Sequence, residues 1–164
     1  MGTTDMATGL LNRRVFDKLG PELAAAMSWA GQPCSMALID IDAFDQVLAA
    51  YGHRAGEEAL RHVAGVVQSS VRQTDMVASF GGQAIALVLP AYDAERAFGL
   101  AERIQNAVAQ SPFQYEGTEI KLTISVGLRT PLSDKESFWI ALDQAGDALN
   151  RAKSTGRNRL EVAV

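Results

Sequence analysis

The sequence predicts an α/β domain built on one central, mixed and mostly antiparallel five-stranded sheet flanked by helices. Three observations carry this reading. Segments with helical apolar spacing alternate with short apolar runs of strand length. Two of those runs, 76–80 and 85–90, are joined by Gly81-Gly82, and glycine supplies the positive φ that a tight antiparallel turn needs. The resulting order is helix, strand, helix, helix, strand, strand, helix, strand, helix, strand, which is akin to the ferredoxin-like plan. Because both arms of the hairpin are apolar, it is expected in the middle of the sheet.

Each element has its own local justification. Residues 5–12 are polar and turn-rich, and Asn12 is placed to cap a helix over 13–30, whose apolar positions are Val15, Phe16, Leu19 and Leu23. Gly20-Pro21 should bend or interrupt that helix, and Gly31-Gln32-Pro33 ends it. A strand follows over 35–39, closed by Asp40-Ile41-Asp42, with Asp42 read as the cap of a short helix over 43–50. After a turn at Tyr51-Gly52-His53, a helix over 57–71 buries Leu60, Val63, Val67 and Val71. Arg72-Gln73-Thr74-Asp75 leads into the hairpin. A helix over 94–109 buries Ala97, Phe98, Ala101, Ile104 and Val108, and residues 119–128 alternate as one long strand. The last helix, 138–153, carries Arg151 and Lys153 in its final turn and Gly156 as a left-handed cap, before a closing strand over 160–164.

The bulk numbers narrow the function classes. A chain of 164 residues is one domain by size, and 48% hydrophobic with 21% charged residues is ordinary for a globular protein. A net charge of −4 argues against a general nucleic-acid or anionic-membrane binder, while leaving room for a local basic site for a small phosphorylated ligand. The single cysteine, Cys34, excludes an internal disulfide and fits a reducing compartment. With no apolar run of membrane-spanning length, no membrane insertion is expected and the expected location is cytoplasmic. His53 and His62 lack a metal-ligand constellation, and Trp29 and Trp139 read as packing residues.

Several motifs then stand in one order along the chain: Asp5-x-x-Thr8-Gly9-Leu10-x-Asn12-Arg13-Arg14, Asp40-Ile41-Asp42-x-Phe44, Tyr51-Gly52-His53-x-x-Gly56, Gly81-Gly82, and Ala152-Lys153-x-x-Gly156-Arg157-Asn158. Together they resemble the GGDEF domain of diguanylate cyclases, from about residue 5 to residue 160. The resemblance implies the nucleotidyl-cyclase-like fold derived from the ferredoxin plan. It also implies a single GGDEF domain over 1–164, expected as the C-terminal part of a longer multidomain protein. That family joins two GTP molecules into cyclic di-GMP, one GTP on each domain of a dimer.

By this resemblance Asp40 and the Ile41 carbonyl correspond to metal ligands, and Phe44, Lys153 and Arg157 to the nucleotide and phosphate side. The signature turn departs from the family. Its metal-holding acid falls on Gln83, whose neutral amide is a poorer partner for a hard dication, and its glutamate falls on Ala84. The guanine-reading asparagine falls on Leu48, its partner acid on Glu57, and a lysine on Asp45. These losses predict a domain that is not an enzyme and needs no cofactor, with magnesium only where GTP is still bound.

A second family site, where cyclic di-GMP binds an Arg-x-x-Asp motif, is intact as Arg72 and Asp75, with Arg103 as the completing arginine. The expectation is therefore a cyclic di-GMP receptor, homodimeric or in contact with a fused or separate effector domain, with no nucleic-acid partner. Its rivals are a GTP-binding regulatory domain and a nucleotide-free docking module. Arg-x-x-Asp also arises at helix ends as a solvent-facing pair, and helix termination alone accounts for Lys153 with Gly156.

Overall fold

The eight residues Cys34–Ile41 form a strand, β1, that is buried along its whole length, and the other elements are arranged about it. In chain order they are α1 (Arg13–Trp29), α2 (Phe44–Tyr51), α3 (His53–Ser70), β2 (Met76–Ser79), β3 (Ala84–Pro90), α4 (Ala94–Gln110), β4 (Phe113–Tyr115), β5 (Thr118–Ile120), β6 (Ile124–Arg129), α5 (Phe138–Ser154) and β7 (Leu160–Val162). This is a computed structural model that describes residues 2–133 and 136–163. The main sheet has the order β2-β3-β1-β6-β7. Its pairings are antiparallel except that of β7 with β6, which is the mixed five-stranded sheet expected.

Side chains alternate across a strand, so β1 feeds two cores. Ala37, Ile39 and Ile41 join Val63, Val67, Leu100 and Ile104 on one face. Met36 and Leu38 join Phe16, Ala145 and Leu149 on the other. On that second face Gly127 of β6 is indispensable. A Cβ there would lie 2.1 Å from the Ala145 carbonyl oxygen and 2.3 Å from the Leu149 nitrogen, so the backbone of α5 rests directly on the strand. This contact sets the height of α5, and Lys153, one turn beyond Leu149, arrives at Asp40.

The structure departs from the sequence reading in definite places. The hairpin does not lie mid-sheet: β2 is an edge strand, and its apolar residues are covered because Leu11 bridges to Ala78 and Ser79 N–H donates to the Leu11 carbonyl. Helix α1 runs unbroken through Pro21, and Leu19 faces outward where Gly20 packs on Phe138. Asp42 does not cap α2, since Ala43 takes that position with φ 55 and no side-chain bond. Helix α3 begins at His53, four residues before the expected Glu57, and Val71 is its C-cap. On α4 the buried position is Leu100 and Phe98 is exposed.

The single strand expected over 119–128 is two strands in two sheets, because β5 pairs with β4 while β6 pairs with β1. The turn between β4 and β5 uses Glu116 and Gly117, both at positive φ. Gly156 is not the left-handed cap: its φ is 137, and Arg157 (φ 61) and Asn158 (φ 47) take the left-handed conformation instead. Trp29 is 92% exposed and Trp139 is half exposed, so neither is a core residue. Of the strand expected over 160–164, residues Leu160–Val162 form β7, and Val164 lies outside the described residues. Among the described residues no helix is long and apolar enough to cross a membrane.

Candidate functional site

Two clusters lie at opposite ends of β1. At its C-terminal end Asp40 pairs in register with Ala84, which brings the loop Gly81-Gly82-Gln83 beside it. Both glycines have positive φ (96 and 55), and Phe80 N–H donates to the Ala84 carbonyl at 3.0 Å, closing the loop. The Asp40 carboxylate is buried, and its Oδ2 accepts from Lys153 Nζ at 2.5 Å. Burial pushes the Asp40 carboxyl above its usual range, against the hydrogen bond and charge of Lys153, which pull it down. Its Oδ1 is a buried side-chain oxygen with no partner among the described residues.

Asp42, two residues on, has no such spare capacity. It accepts from Thr123 Oγ1 (2.7 Å), Ser125 Oγ (2.6 Å) and Asn158 N–H (2.8 Å), tying β1 to β6 and to the loop after α5 that carries the exposed Arg157. Thr123 and Ser125 were not legible as its partners, since they lie more than eighty residues away. Among the described residues no group of three His, Cys, Asp or Glu gathers to hold a metal. One unshared carboxylate oxygen with the Ile41 carbonyl fits a magnesium ion that keeps phosphate and water ligands, as magnesium commonly does, and not a protein-only cage.

The residues aligned by resemblance with the guanine pocket lie at the α2–α3 corner. A Cβ on Gly56 would sit 2.5 Å from Leu48 Cδ2 and 3.1 Å from Phe44 Cζ, so these two apolar side chains close over the glycine. Glu57 and Asp45 are exposed.

At the other end of the sheet, where Pro90 pairs with Cys34, the Arg-x-x-Asp segment folds as a tight turn with Asp75 N–H donating to the Arg72 carbonyl. The Asp75 side chain has no exposed surface. Its Oδ2 accepts from Arg72 N–H (2.8 Å) and from the Tyr92 hydroxyl (2.8 Å), and Oδ1 lies 3.4 Å from Arg72 Nη2. Arg72 Nη2 also donates to the Pro90 carbonyl at 2.8 Å, and its guanidinium lies over the Tyr92 ring, 4.4 Å from the centroid. Half of the Arg72 side chain remains exposed. It lines a groove of about 610 Å³ together with Tyr92, Asp93, Glu95, Arg96, Gly99 and Arg103.

Arg72 and Arg103 are thus brought to one groove, whereas Asp75 lies beneath Arg72 and is absent from the groove's lining. Five groove residues, Tyr92, Asp93, Glu95, Arg96 and Gly99, escaped the sequence reading. Arg96 shares a helix face with Gly99 and Arg103 at spacings of three and seven, a signal that was available. Tyr92 follows the strand as an ordinary aromatic, and nothing local marks it.

Comparison with known proteins identifies the family. Residues 2–159 match the family described as "Diguanylate cyclase, GGDEF domain", and the chain belongs to that family. It is 36% identical over 160 residues to diguanylate cyclase DgcP of Pseudomonas aeruginosa, covering 98% of this chain and 24% of that protein. It is 34% identical over 166 residues to diguanylate cyclase A of Treponema denticola, covering 99% and 45%. The chain therefore spans between a quarter and a half of the length of these curated relatives. Among solved structures it superposes on the GGDEF domain of DgcB from Caulobacter crescentus, determined in complex with c-di-GMP, with a TM-score of 0.94 at 28% identity, covering 99% of this chain and 96% of that one.

These relatives correct one expectation. The sequence reading set the chain outside the enzymes because of Gln83 and Ala84 at the turn and Leu48, Glu57 and Asp45 at the base pocket, yet its family and its relatives carry the name of an enzyme, diguanylate cyclase, over nearly the whole chain. Altered side chains at the turn and at the α2–α3 corner do not remove a chain from the family that nearly its whole sequence matches.

Proposed function

We propose that this domain acts in cyclic di-GMP signalling and holds the cyclic dinucleotide in the groove between β3 and α4. One observation carries the reading: Arg72, Arg96 and Arg103 converge on a single groove, and neither Arg96 nor Arg103 makes an ion pair among the described residues. Cyclic di-GMP offers two phosphodiesters and two guanine O6/N7 edges, each of which suits the planar donor fork of arginine. Asp75 contributes by fixing Arg72; accepting from guanine N1 and N2 would require it to release the Tyr92 hydroxyl. The bound state of the DgcB domain supports the same ligand class.

A second reading, supported by the unshared Asp40 Oδ1, assigns the other end of β1 to GTP. Lys153 and Arg157 would bind the triphosphate, with magnesium held at Asp40 and the Ile41 carbonyl. That ion supplies neutralising charge on the phosphates. Binding there moves Lys153 from carboxylate to phosphate. Joining two GTP molecules further requires a second copy of the domain, so a homodimer belongs to this reading, as does an effector domain that receives the signal.

Calorimetry tests both. Micromolar binding of cyclic di-GMP that weakens about thirtyfold in Arg72→Ala is the expected result, and a silent wild-type domain overturns the first reading. Magnesium-dependent GTP binding that disappears in Asp40→Ala supports the second.

A further inference from the structure

We infer that Tyr92 is a positioning residue for the ligand groove: its ring and hydroxyl together hold the Arg72 guanidinium in the orientation that meets a phosphate or a guanine edge. This rests on the reading of the groove as a cyclic-dinucleotide site and names the part that prepares it.

Tyr92 is buried and is anchored from three sides. Its hydroxyl donates to Asp75 Oδ2 at 2.8 Å. Its backbone carbonyl accepts from the buried Ser35 Oγ of β1 at 2.9 Å. The preceding residue, Ala91, stands in the left-handed region at φ 64, which is unfavourable for a residue with a Cβ, and its N–H donates to the Pro33 carbonyl at 2.8 Å. That unusual backbone lies immediately before the residue whose ring meets Arg72.

The consequence for Arg72 is specific. Nη2 is consumed by Pro90 and Asp75, and the ring takes one face of the guanidinium. Nε and Nη1 have no protein partner among the described residues; every two-donor edge of a guanidinium includes Nη2, so a ligand is offered the Nε–H and Nη1–H donors singly. A free arginine samples many rotamers and loses that freedom on binding, whereas a guanidinium already seated on an aromatic face loses less. Asp75 completes the arrangement without entering the groove, because its two oxygens serve the Arg72 N–H, the Arg72 guanidinium and the Tyr92 hydroxyl. Burial and the neighbouring Asp75 carboxylate raise the Tyr92 phenol above its ordinary value, which keeps the donor proton in place at neutral pH.

The experiment combines calorimetry with NMR of the Arg72 side chain in the whole domain. Tyr92→Met, which keeps apolar bulk and removes the aromatic face, is expected to weaken cyclic di-GMP binding about tenfold. In ligand-free protein the same variant should speed rotation about the Arg72 Cζ–Nη2 bond, read from the Nη–H resonances, a signature that a packing role alone would not produce. Tyr92→Phe restores the ring and should recover affinity to within about threefold of wild type. Wild-type affinity in Tyr92→Met, or an Arg72 Cζ–Nη2 bond that rotates in the wild type as fast as in a free arginine, overturns the inference. The second measurement needs no variant and decides the matter even if Tyr92→Met does not fold. If the wild type binds no cyclic di-GMP, the groove reading fails, and the Arg72 resonance still shows whether the ring holds the guanidinium.

Discussion

At one end of β1 a buried carboxylate faces the site, and at the other a buried carboxylate faces away from it. Asp40 shares one oxygen with Lys153 and keeps the other unshared, so that end retains an acceptor for a cation. Asp75 commits both oxygens to Arg72 and Tyr92, so that end presents guanidinium donors above an acid whose oxygens are both engaged. The two ends are six residues apart along β1, about 20 Å at the rise of an extended strand. The same acid–base pairing therefore yields opposite surfaces, according to which partner is left with spare valence. Under the proposed function one end would take a metal-bearing triphosphate and the other an anionic cyclic dinucleotide.

The largest expected effect breaks one end without touching the other. Gly127→Ala drives a methyl into the backbone of α5 and should cost about 3 kcal/mol in urea unfolding. Because it displaces the helix that carries Lys153, it should disturb the Asp40 end and leave cyclic di-GMP affinity within about twofold of wild type. The next restores what the turn lacks. Gln83→Glu combined with Ala84→Glu should raise conversion of GTP to cyclic di-GMP by about a hundredfold over wild type, read by chromatography of the products. An unchanged rate would mean that the turn does not limit turnover.

At the groove, Arg72→Ala should weaken cyclic di-GMP binding about thirtyfold and Arg103→Ala about tenfold by calorimetry, with GTP binding unaltered in both. The smallest effect concerns Cys34, which pairs with Pro90 at the groove end. Burial pushes its thiol up to about 11 from an ordinary 9.0. Folding therefore favours the protonated thiol, so its contribution to stability is present below pH 9 and is lost as pH rises towards 11. Across that window the wild type should lose on the order of 1 kcal/mol more than Cys34→Ala in urea unfolding.

How much of this was legible in the sequence depends on how local the signal was. The strands around Met36–Leu38, the amphipathic stripes of α3 and α5, and the glycine turn each announce themselves within a few residues. The break between β5 and β6 does not, because apolar alternation runs on through Leu122 although the partners change from Phe113 to Ile41. Asp42 looked like a cap because its true partners, Thr123, Ser125 and Asn158, are distant in sequence.

At the groove, Arg72 and Arg103 could be picked from the motif. The inward turn of Asp75 could not, since it depends on Tyr92 reaching back across the end of β3. The judgement that the chain is no enzyme gave Gln83, Ala84, Leu48, Glu57 and Asp45 more weight than the remaining sequence, and membership in the diguanylate cyclase family corrected it.

The most direct test is a titration of the isotopically labelled wild-type domain with cyclic di-GMP, following backbone amide and arginine side-chain resonances together. The account predicts saturable shifts at Arg72, Tyr92, Arg96 and Arg103, with Gly81, Gly82, Gln83 and Lys153 left in place. Shifts confined to the Gly81–Lys153 end, or none at micromolar ligand, would contradict it.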